Sequence, residues 1–321
     1  MTSRRSRFRL MTLLTAATCL MSIASASAED VIVHDARGHD VTIGHPTRIV
    51  AVGGALTEIL YALGVEDRIV AIDSTSLYPP QAMADKPNVG YMRQLSAEGI
   101  LGLHPQLVLA IAGSGPKETI DVIDAAKVPL IVVPETFSED GMLQKIRMVA
   151  RVAGVEARGE CLADAVAQDL GWLRRLRAKV TTPPRVMFVM SLLDGRAMAA
   201  GRHTAANEII ALAGGVNAID DFDGYKIINE EAIVAARPDH VLAMERGKEQ
   251  LKAEAVFANP AFALTPAARA RSFVAMDGLY LLGFGPRTAA AARDLAARLD
   301  PALAAEAARF KPASLTINCR Q

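Results

Sequence analysis

A tyrosine at the end of an apolar run is the first residue whose surroundings suggest chemistry. In the stretch Asp73-Ser-Thr-Ser-Leu-Tyr-Pro-Pro80, Tyr78 follows the run Arg68-Ile-Val-Ala-Ile72, which is typical of a strand. Pro79 and Pro80 fix the backbone behind the tyrosine and remove two amide donors, so the phenol is held on a stiff turn. A phenol presented in this way can be a packing residue, a hydrogen-bond donor or a metal ligand.

The elements that must position this tyrosine are strands alternating with helices. Apolar runs typical of buried strands occur at residues 48–52, 69–72, 107–111 and 130–133. Alternating strands and helices predict an α/β fold with a parallel sheet. Sheets of this kind bind ligands outside the carboxyl ends of their strands, which places Tyr78 at a binding edge.

The second half of the chain repeats the first. Residues 95–109 align with 228–242, and residues 57–64 align with 207–214. The first alignment pairs Glu98 with Glu231, and the second pairs Glu58 with Glu208. Two copies are too few for a solenoid, so we expect two similar lobes facing each other across a cleft.

A long amphipathic segment separates the two repeats. From Glu156 to Val180 the apolar residues recur every three or four positions, which predicts one helix of about 38 Å. We therefore expect an N-terminal α/β lobe at residues 29–154, a linking helix at residues 155–182 and a C-terminal α/β lobe at residues 183–321. Each lobe is expected to be Rossmann-like, with a parallel sheet.

The N-terminus and the charge balance limit the class of protein. Arginines followed by an apolar run and Ala26-Ser-Ala28 predict a signal peptide at residues 1–28, and therefore an exported, soluble protein. Thirty-five basic residues balance 35 acidic ones, which argues against nucleic acid as a partner. Beyond the signal peptide, Cys161 and Cys319 allow a disulfide but do not require one.

Six short motifs, spread over almost all of the mature chain, are shared with one protein family. They are Arg48-Ile-Val with Thr57-Glu58, the Tyr78-Pro79 turn, Leu95-Ser-Ala-Glu98, His104-Pro105, Thr204-Ala-Ala with Ala213-Gly-Gly215, and Gly283-Phe-Gly285. On these motifs the chain resembles the substrate-binding proteins of bacterial ABC importers, in the subgroup whose lobes are joined by a helix (class III periplasmic binding proteins).

Four further stretches are similar to motifs of periplasmic haem-binding proteins within that subgroup. They are residues 73–79, 90–98, 224–226 and 278–288. The resemblance implies that haem is the transported ligand, that Tyr78 is the axial ligand of its iron, and that the protein delivers haem to an inner-membrane permease and its ATPase. The protein is then a periplasmic monomer and not an enzyme.

The same resemblance suggests roles for other side chains. Arg93, Lys226 and Arg287 are candidate cations beside the phenolate or the haem propionates, and His203 is a possible second iron ligand. In the family, acidic residues of the two lobes dock onto arginines of the permease, and Glu58 and Glu208 are the candidates here. Each of these residues also has an ordinary interpretation, as a solvated surface charge, an exposed loop histidine or a carboxylate at a helix N-terminus.

Two other functions stay open. The same fold could carry a ferric siderophore or cobalamin, because cobalamin-binding relatives also have a Tyr-Pro-Pro turn at this position. A secreted hydrolase or metal enzyme built on two α/β lobes is the second alternative. The sequence has no Gly-x-Ser-x-Gly elbow, phosphate loop or metalloprotease helix to support it.

Overall fold

The structure is a computed structural model that describes residues 30–245 and 250–320. The predicted signal peptide lies outside these ranges. The described part begins with an antiparallel hairpin of β1 (Val31–His34) and β2 (Asp40–Ile43). No helix in the described ranges is both long and apolar enough to cross a membrane.

The first lobe is built on a parallel sheet of four strands in the order β4-β3-β5-β6. Its strands are β3 (Ile49–Val52), β4 (Ile69–Ile72), β5 (Leu107–Ile111) and β6 (Leu130–Val133). All but one of their residues are buried, because helices cover both faces. The helices are α1 (Gly54–Ala62), α2 (Pro80–Asp85), α3 (Ala97–Leu101), α4 (Lys117–Ala125) and α5 (Glu139–Val152).

The linking helix is α6 (Glu156–Arg177), which begins where the sequence predicts and ends three residues earlier. Its 22 residues span about 33 Å. Leu162, Val166 and Leu170 on its buried face belong to a core that continues into both lobes. The lobes therefore share one apolar core along this helix.

The second lobe is built on a mixed sheet in the order β10-β8-β7-β11-β12, with β9 beside β7. Its strands are β7 (Arg185–Leu193), β8 (Arg196–Ala200), β9 (Val216–Asn217), β10 (Tyr225–Ile228), β11 (His240–Glu245) and β12 (Phe273–Asp277). Strand β8 runs antiparallel to both β7 and β10. The expected parallel sheet is therefore present from β9 through β7 and β11 to β12, and β8 and β10 add an antiparallel edge that the sequence analysis did not predict.

A tight turn explains the antiparallel pair. Asp194 and Gly195 connect β7 to β8 and both have left-handed backbone angles, with φ of 49° and 76°. An Asp-Gly pair favours a two-residue hairpin turn of this kind. The Asp194-Gly195 pair is visible in the sequence, but the alternation of strands and helices favoured a parallel sheet.

Nine helices of the described ranges follow β8. They are α7 (Ala205–Leu212), α8 (Glu230–Ala236), α9 (Ala253–Phe257), α10 (Pro260–Ala263), α11 (Pro266–Ala270), α12 (Gly278–Leu282), α13 (Thr288–Leu299), α14 (Ala304–Ala307) and α15 (Ala313–Thr316). Helix α15 packs on α6, where both oxygens of buried Asp169 accept backbone hydrogen bonds from Ala313 and Ser314. A disulfide between Cys161 and Cys319 joins the tail to α6.

The internal repeat is visible in the backbone. Ser96 and Asn229 cap α3 and α8 in the same way, each accepting from the amide three residues later. His104 and Arg237 occupy corresponding positions of the two copies, with φ of 48° and 45°, each directly before a proline. The repeat that the sequence predicts is therefore a structural one.

Candidate functional site

Buried Asp73 organises the turn that presents Tyr78. Its Oδ1 accepts hydrogen bonds from the Gly53 amide at 2.9 Å and the Ser76 hydroxyl at 2.8 Å. Its Oδ2 accepts from the Thr75 amide at 3.0 Å and the Thr75 hydroxyl at 2.7 Å. Four donors on one buried carboxylate hold the turn after β4 against the start of α1.

Tyr78 lies at the end of this turn and is half-buried. Its neighbour Leu77 is 49% exposed. The Tyr78–Pro79 peptide is cis, and Pro80 begins α2. The guanidinium carbon of Arg287 lies 3.5 Å from the centroid of the tyrosine ring, a close cation–π contact. Sequence reasoning expected a cation near Tyr78, and the structure brings Arg287 there.

Arg287 is held in place by a carboxylate of the other lobe. Its Nε and Nη2 donate to the two oxygens of Glu58 at 3.0 and 2.9 Å, a bidentate pair. The ring of Tyr280 lies on the guanidinium at 5.1 Å. Arg287 is thus already paired, so its predicted role as a partner of a haem propionate does not fit this arrangement.

Glu58 is not the surface carboxylate that a docking role requires. It is 5% exposed, and burial raises its pKa although Arg287 acts in the opposite direction. Helix α1 begins at Gly54, so Glu58 lies past its first turn, and its side chain is buried. This burial removes Glu58 as a candidate for contact with a permease.

Other acidic residues of the repeat differ in exposure. Glu208 is half-buried in the first turn of α7 and accepts a hydrogen bond from Asn207 at 2.8 Å. Its docking role stays a prediction. Glu98 and Glu231 are both exposed in the first turns of α3 and α8, at corresponding positions of the two lobes.

Arg93 of the first lobe is near enough to Tyr225 of the second for its charge to affect the pKa of the tyrosine. Burial raises the pKa of Tyr225, while the Ala206 amide, the Thr204 hydroxyl and the charge of Arg93 counteract the rise. Arg93 is exposed on the first lobe, and Tyr225 is the first residue of β10 in the second. Sequence reasoning chose Lys226 as the residue opposite Arg93, and it missed Tyr225 in the same Gly-Tyr-Lys motif.

Lys226 and His203 lie elsewhere on the second lobe. Lys226 is exposed, with its ammonium 5.1 Å from the Phe222 ring, and it points to the opposite face of β10 from Tyr225. The His203 side chain is 79% exposed, and its Nε2 lies 3.9 Å from a carboxylate oxygen of Asp223. Their roles, at a propionate and at iron, stay predictions.

A segment of the second lobe, residues 278–287, contacts the first lobe directly. Fully buried Lys145 donates to Glu135 and, at 3.3 Å, to the carbonyl oxygen of Phe284. The rings of Phe137 and Phe284 pack edge to face, with centroids 5.2 Å apart. Burial raises the pKa of Glu135, with Lys145 opposing. These contacts hold the lobes together beside the linking helix.

A cavity of about 550 Å³ borders the other side of the Tyr78 turn, between α1, α2 and the C-terminal tail. Its lining includes Glu66, Asp67 and Asp85, and these carboxylates, together with burial, raise the pKa of Tyr61. The lining also includes Lys86 and Arg320, and Arg320 pairs with Glu66, so the cavity carries charges of both signs.

The chemistry available at Tyr78 is that of a single phenol ligand. No group of three or more histidine, cysteine or acidic side chains in the described ranges could hold a bare metal ion. A porphyrin brings four nitrogen ligands of its own, so one protein oxygen suffices for its iron. Exposed apolar side chains flank the key residues in the chain, Leu77 next to Tyr78, Tyr91 near Arg93, and Ile227 near Tyr225.

Comparisons with known proteins agree with this arrangement. The family described as "Periplasmic binding protein" matches residues 49–279. The chain is 42% identical to the periplasmic heme-binding protein RhuT from Roseiflexus sp. RS-1, with a TM-score of 0.76 over 80% of this chain and 98% of that one.

Two curated relatives are more distant. An uncharacterized ABC transporter substrate-binding lipoprotein, YvrC of Bacillus subtilis, is 26% identical over 84% of this chain and 86% of its own. A vitamin B12-binding protein of Photorhabdus laumondii is 24% identical over 64% of this chain and 74% of its own.

Proposed function

The chain belongs to the periplasmic binding protein family, and from that premise we propose that it binds ferric haem between its lobes, with the phenol of Tyr78 as the axial ligand of the iron. The observation that carries the proposal is the presentation of Tyr78. It stands on a turn fixed by Asp73, and a guanidinium lies against its ring. The similarity to RhuT supports haem as the ligand.

The physical reason for a cation beside this phenol is charge. Ferric iron binds a tyrosine as the phenolate, so ligation places a negative charge on a half-buried oxygen. A positive group within about 4–6 Å favours that charged form. Arg287 meets this requirement, and its pair with Glu58 holds it beside the ring.

The haem propionates need cations that are not already paired in this way. Arg93 is exposed and faces the second lobe, which makes it our candidate for one propionate. Lys226 is the candidate for the other, once its side chain leaves the ring of Phe222. Both side chains are long enough to reach a ligand at the mouth of a cleft.

Transport is the expected role of such binding. We infer that residues 1–28 export the protein to the periplasm and that it delivers haem to the permease of an ABC importer, without catalysis of its own. For docking, Glu98 and Glu231 replace Glu58, since both are exposed and related by the repeat. Charged rim pairs of this kind set the rate and specificity of association.

An absorbance titration with hemin tests the proposal. The mature protein should bind hemin and give a high-spin ferric spectrum with a phenolate-to-iron charge-transfer band. Tyr78→Phe keeps the ring over Arg287 but removes the oxygen, so the band should disappear. Tyr61→Phe, at the tyrosine of α1, is the matched control and should leave the spectrum unchanged. Saturable binding with the same spectrum in Tyr78→Phe would refute Tyr78 as the ligand.

Cobalamin is the second candidate ligand, favoured by the similarity to a vitamin B12-binding protein. Cobalamin carries no pair of propionates and needs no phenolate ligand. Cobalamin should compete with hemin only if both compounds bind in the cleft. Calorimetric titration with cyanocobalamin, and separately with a ferric siderophore, distinguishes these cases. Binding of either compound in preference to hemin would replace haem as the assigned cargo.

A further inference from the structure

Arg287 connects the two lobes at the side chain that is proposed to bind iron. Glu58 belongs to α1 and Tyr78 to the turn after β4, both in the first lobe. Arg287 directly precedes α13 in the second lobe. We call these three residues the interlobe cluster. Glu58 and Arg287 are 229 residues apart in the chain, so only the packing of the lobes brings them together.

The geometry of the cluster fixes the guanidinium plane. Two hydrogen bonds to Glu58 hold one edge, at 3.0 and 2.9 Å. The ring of Tyr78 covers the guanidinium with a carbon-to-centroid distance of 3.5 Å, and Tyr280 lies farther away at 5.1 Å. The Tyr280 hydroxyl is itself bonded to Asp294 at 2.8 Å, so this ring is anchored to α13. Arg287 and Tyr280 therefore move with the second lobe, and Glu58 and Tyr78 with the first.

Burial makes the pair sensitive to separation. The side chains of Arg287 and Glu58 are 14% and 6% exposed. A buried ion pair is lost as a unit when one partner is withdrawn, because the remaining charge is left without compensation. Other interlobe contacts, such as that of Lys145 with the Phe284 carbonyl, do not involve Tyr78. The interlobe cluster is thus where lobe closure and the iron ligand meet.

We propose that Arg287 couples closure of the lobes to the grip of Tyr78 on iron, so that separating the lobes weakens iron ligation. This inference rests on the proposed function. In the closed state the guanidinium favours the phenolate and fixes the ring. Opening withdraws the cation from the ring and leaves a phenolate without its positive neighbour. Arg287 is in this sense a positioning residue, and Glu58 holds it in place.

This coupling would let a permease release haem without contacting the iron. Pulling the lobes apart by a small hinge motion breaks the bidentate pair and the ring contact together. The phenol then binds iron more weakly, and haem leaves toward the membrane. Contacts between the permease and the acidic docking residues of both lobes would separate the lobes.

The test compares Arg287→Gln with Arg147→Gln. Arg147 donates from its Nε to both oxygens of Glu160, at 3.1 and 2.8 Å, and joins two helices away from the cleft, so it is the control for loss of an arginine–glutamate pair. Spin labels at Glu118→Cys and Glu254→Cys, both exposed and on different lobes, report the lobe separation in the haem-free protein. In the mature chain the other two cysteines are joined to each other and do not take the label.

We expect Arg287→Gln to lengthen or broaden the distance distribution, to weaken the phenolate-to-iron band, and to speed haem transfer to apomyoglobin about 10–100-fold. Arg147→Gln should match the parent in its distance distribution, its phenolate-to-iron band and its rate of haem transfer. Glu58→Gln and Arg287→Lys are the second variants, each retaining part of the pair, and should give intermediate values. A merely structural contact would change the distances but not the band.

Two results would overturn the coupling. One is a set of Arg287→Gln values equal to those of Arg147→Gln. The other is longer distances with an unchanged band and transfer rate. Failure of the proposed function is distinct, because it appears in the parent protein as absence of hemin binding before any variant is made.

Discussion

At the scale of single residues, the position of Tyr78 depends on side chains that bond to its turn or lie against its ring. Tyr78 was recognisable from the sequence because the two prolines after it mark a rigid turn at a strand end. The residues around Tyr78 could not be recognised in this way. Glu58 looked like a helix-start carboxylate and Arg287 like a propionate partner, and only folding shows that they pair with each other. Burial decides between such roles, and no spacing in the sequence reports it.

Asp73 provides a prediction at this scale. Asp73→Ala removes the acceptor of four hydrogen bonds and leaves the buried Gly53 amide without a partner. We expect the free energy of unfolding to fall by about 2–4 kcal/mol and hemin affinity to fall as well. Urea denaturation measures the first, and the hemin titration the second. Asp40→Ala, at an exposed carboxylate bonded to His34, is the control, and an equal effect there would contradict this role of Asp73.

Asp35 gives a prediction about pH. Burial opposes its ionisation, but hydrogen bonds from the Arg37 side chain and from the amides of His39, Arg37 and Val132 outweigh burial and lower its pKa. A lowered pKa in the folded state stabilises the protein above the unfolded pKa, and this contribution is lost as the pH falls through the folded pKa. Asp35→Asn should therefore reduce the free energy of unfolding at neutral pH by about 1–3 kcal/mol.

The measurement for Asp35 is urea denaturation of parent and variant from about pH 7 down to about pH 2. The difference between them should shrink at the acidic end of this range, below the ordinary pKa of 3.8. A difference that stays constant over the whole range would show that the charge of Asp35 does not contribute.

At the scale of elements, the first lobe follows the sequence closely and the second does not. Runs of buried β-branched residues gave β4, β5 and β6 with their observed bounds, because strands covered on both faces are continuously apolar. In the second lobe the strand pattern is short and exposed at β10, and the hairpin turn at Asp194-Gly195 redirects β8. Antiparallel edges of this kind depend on turn chemistry, which periodicity alone does not report.

The C-terminal tail yields a prediction for its disulfide. Cys161 and Cys319 are 158 residues apart, so the bond restricts a long loop in the unfolded chain. Replacing both by serine should lower the free energy of unfolding by about 2–5 kcal/mol. The hemin spectrum should be retained, since the tail lies outside the cleft. A thermal or urea transition equal to that of the parent would contradict a stabilising role.

At the scale of the whole molecule, two lobes share a core along α6 and present similar acidic helix starts. Glu98→Lys and Glu231→Lys should leave hemin affinity unchanged but strongly reduce association with vesicles that contain the cognate permease, because each inverts a charge at the proposed docking face. Glu118→Lys, at an exposed carboxylate of α4, is the control. Unchanged association in the double variant would place the docking surface elsewhere.

The central claim is a bond between one oxygen and one iron. A crystal structure of the mature protein with hemin tests it most directly. Our account predicts the porphyrin between the lobes, with its iron bound to the Tyr78 hydroxyl oxygen and the guanidinium of Arg287 against the ring. Iron bound by another side chain, or a porphyrin seated outside the cleft, would contradict it.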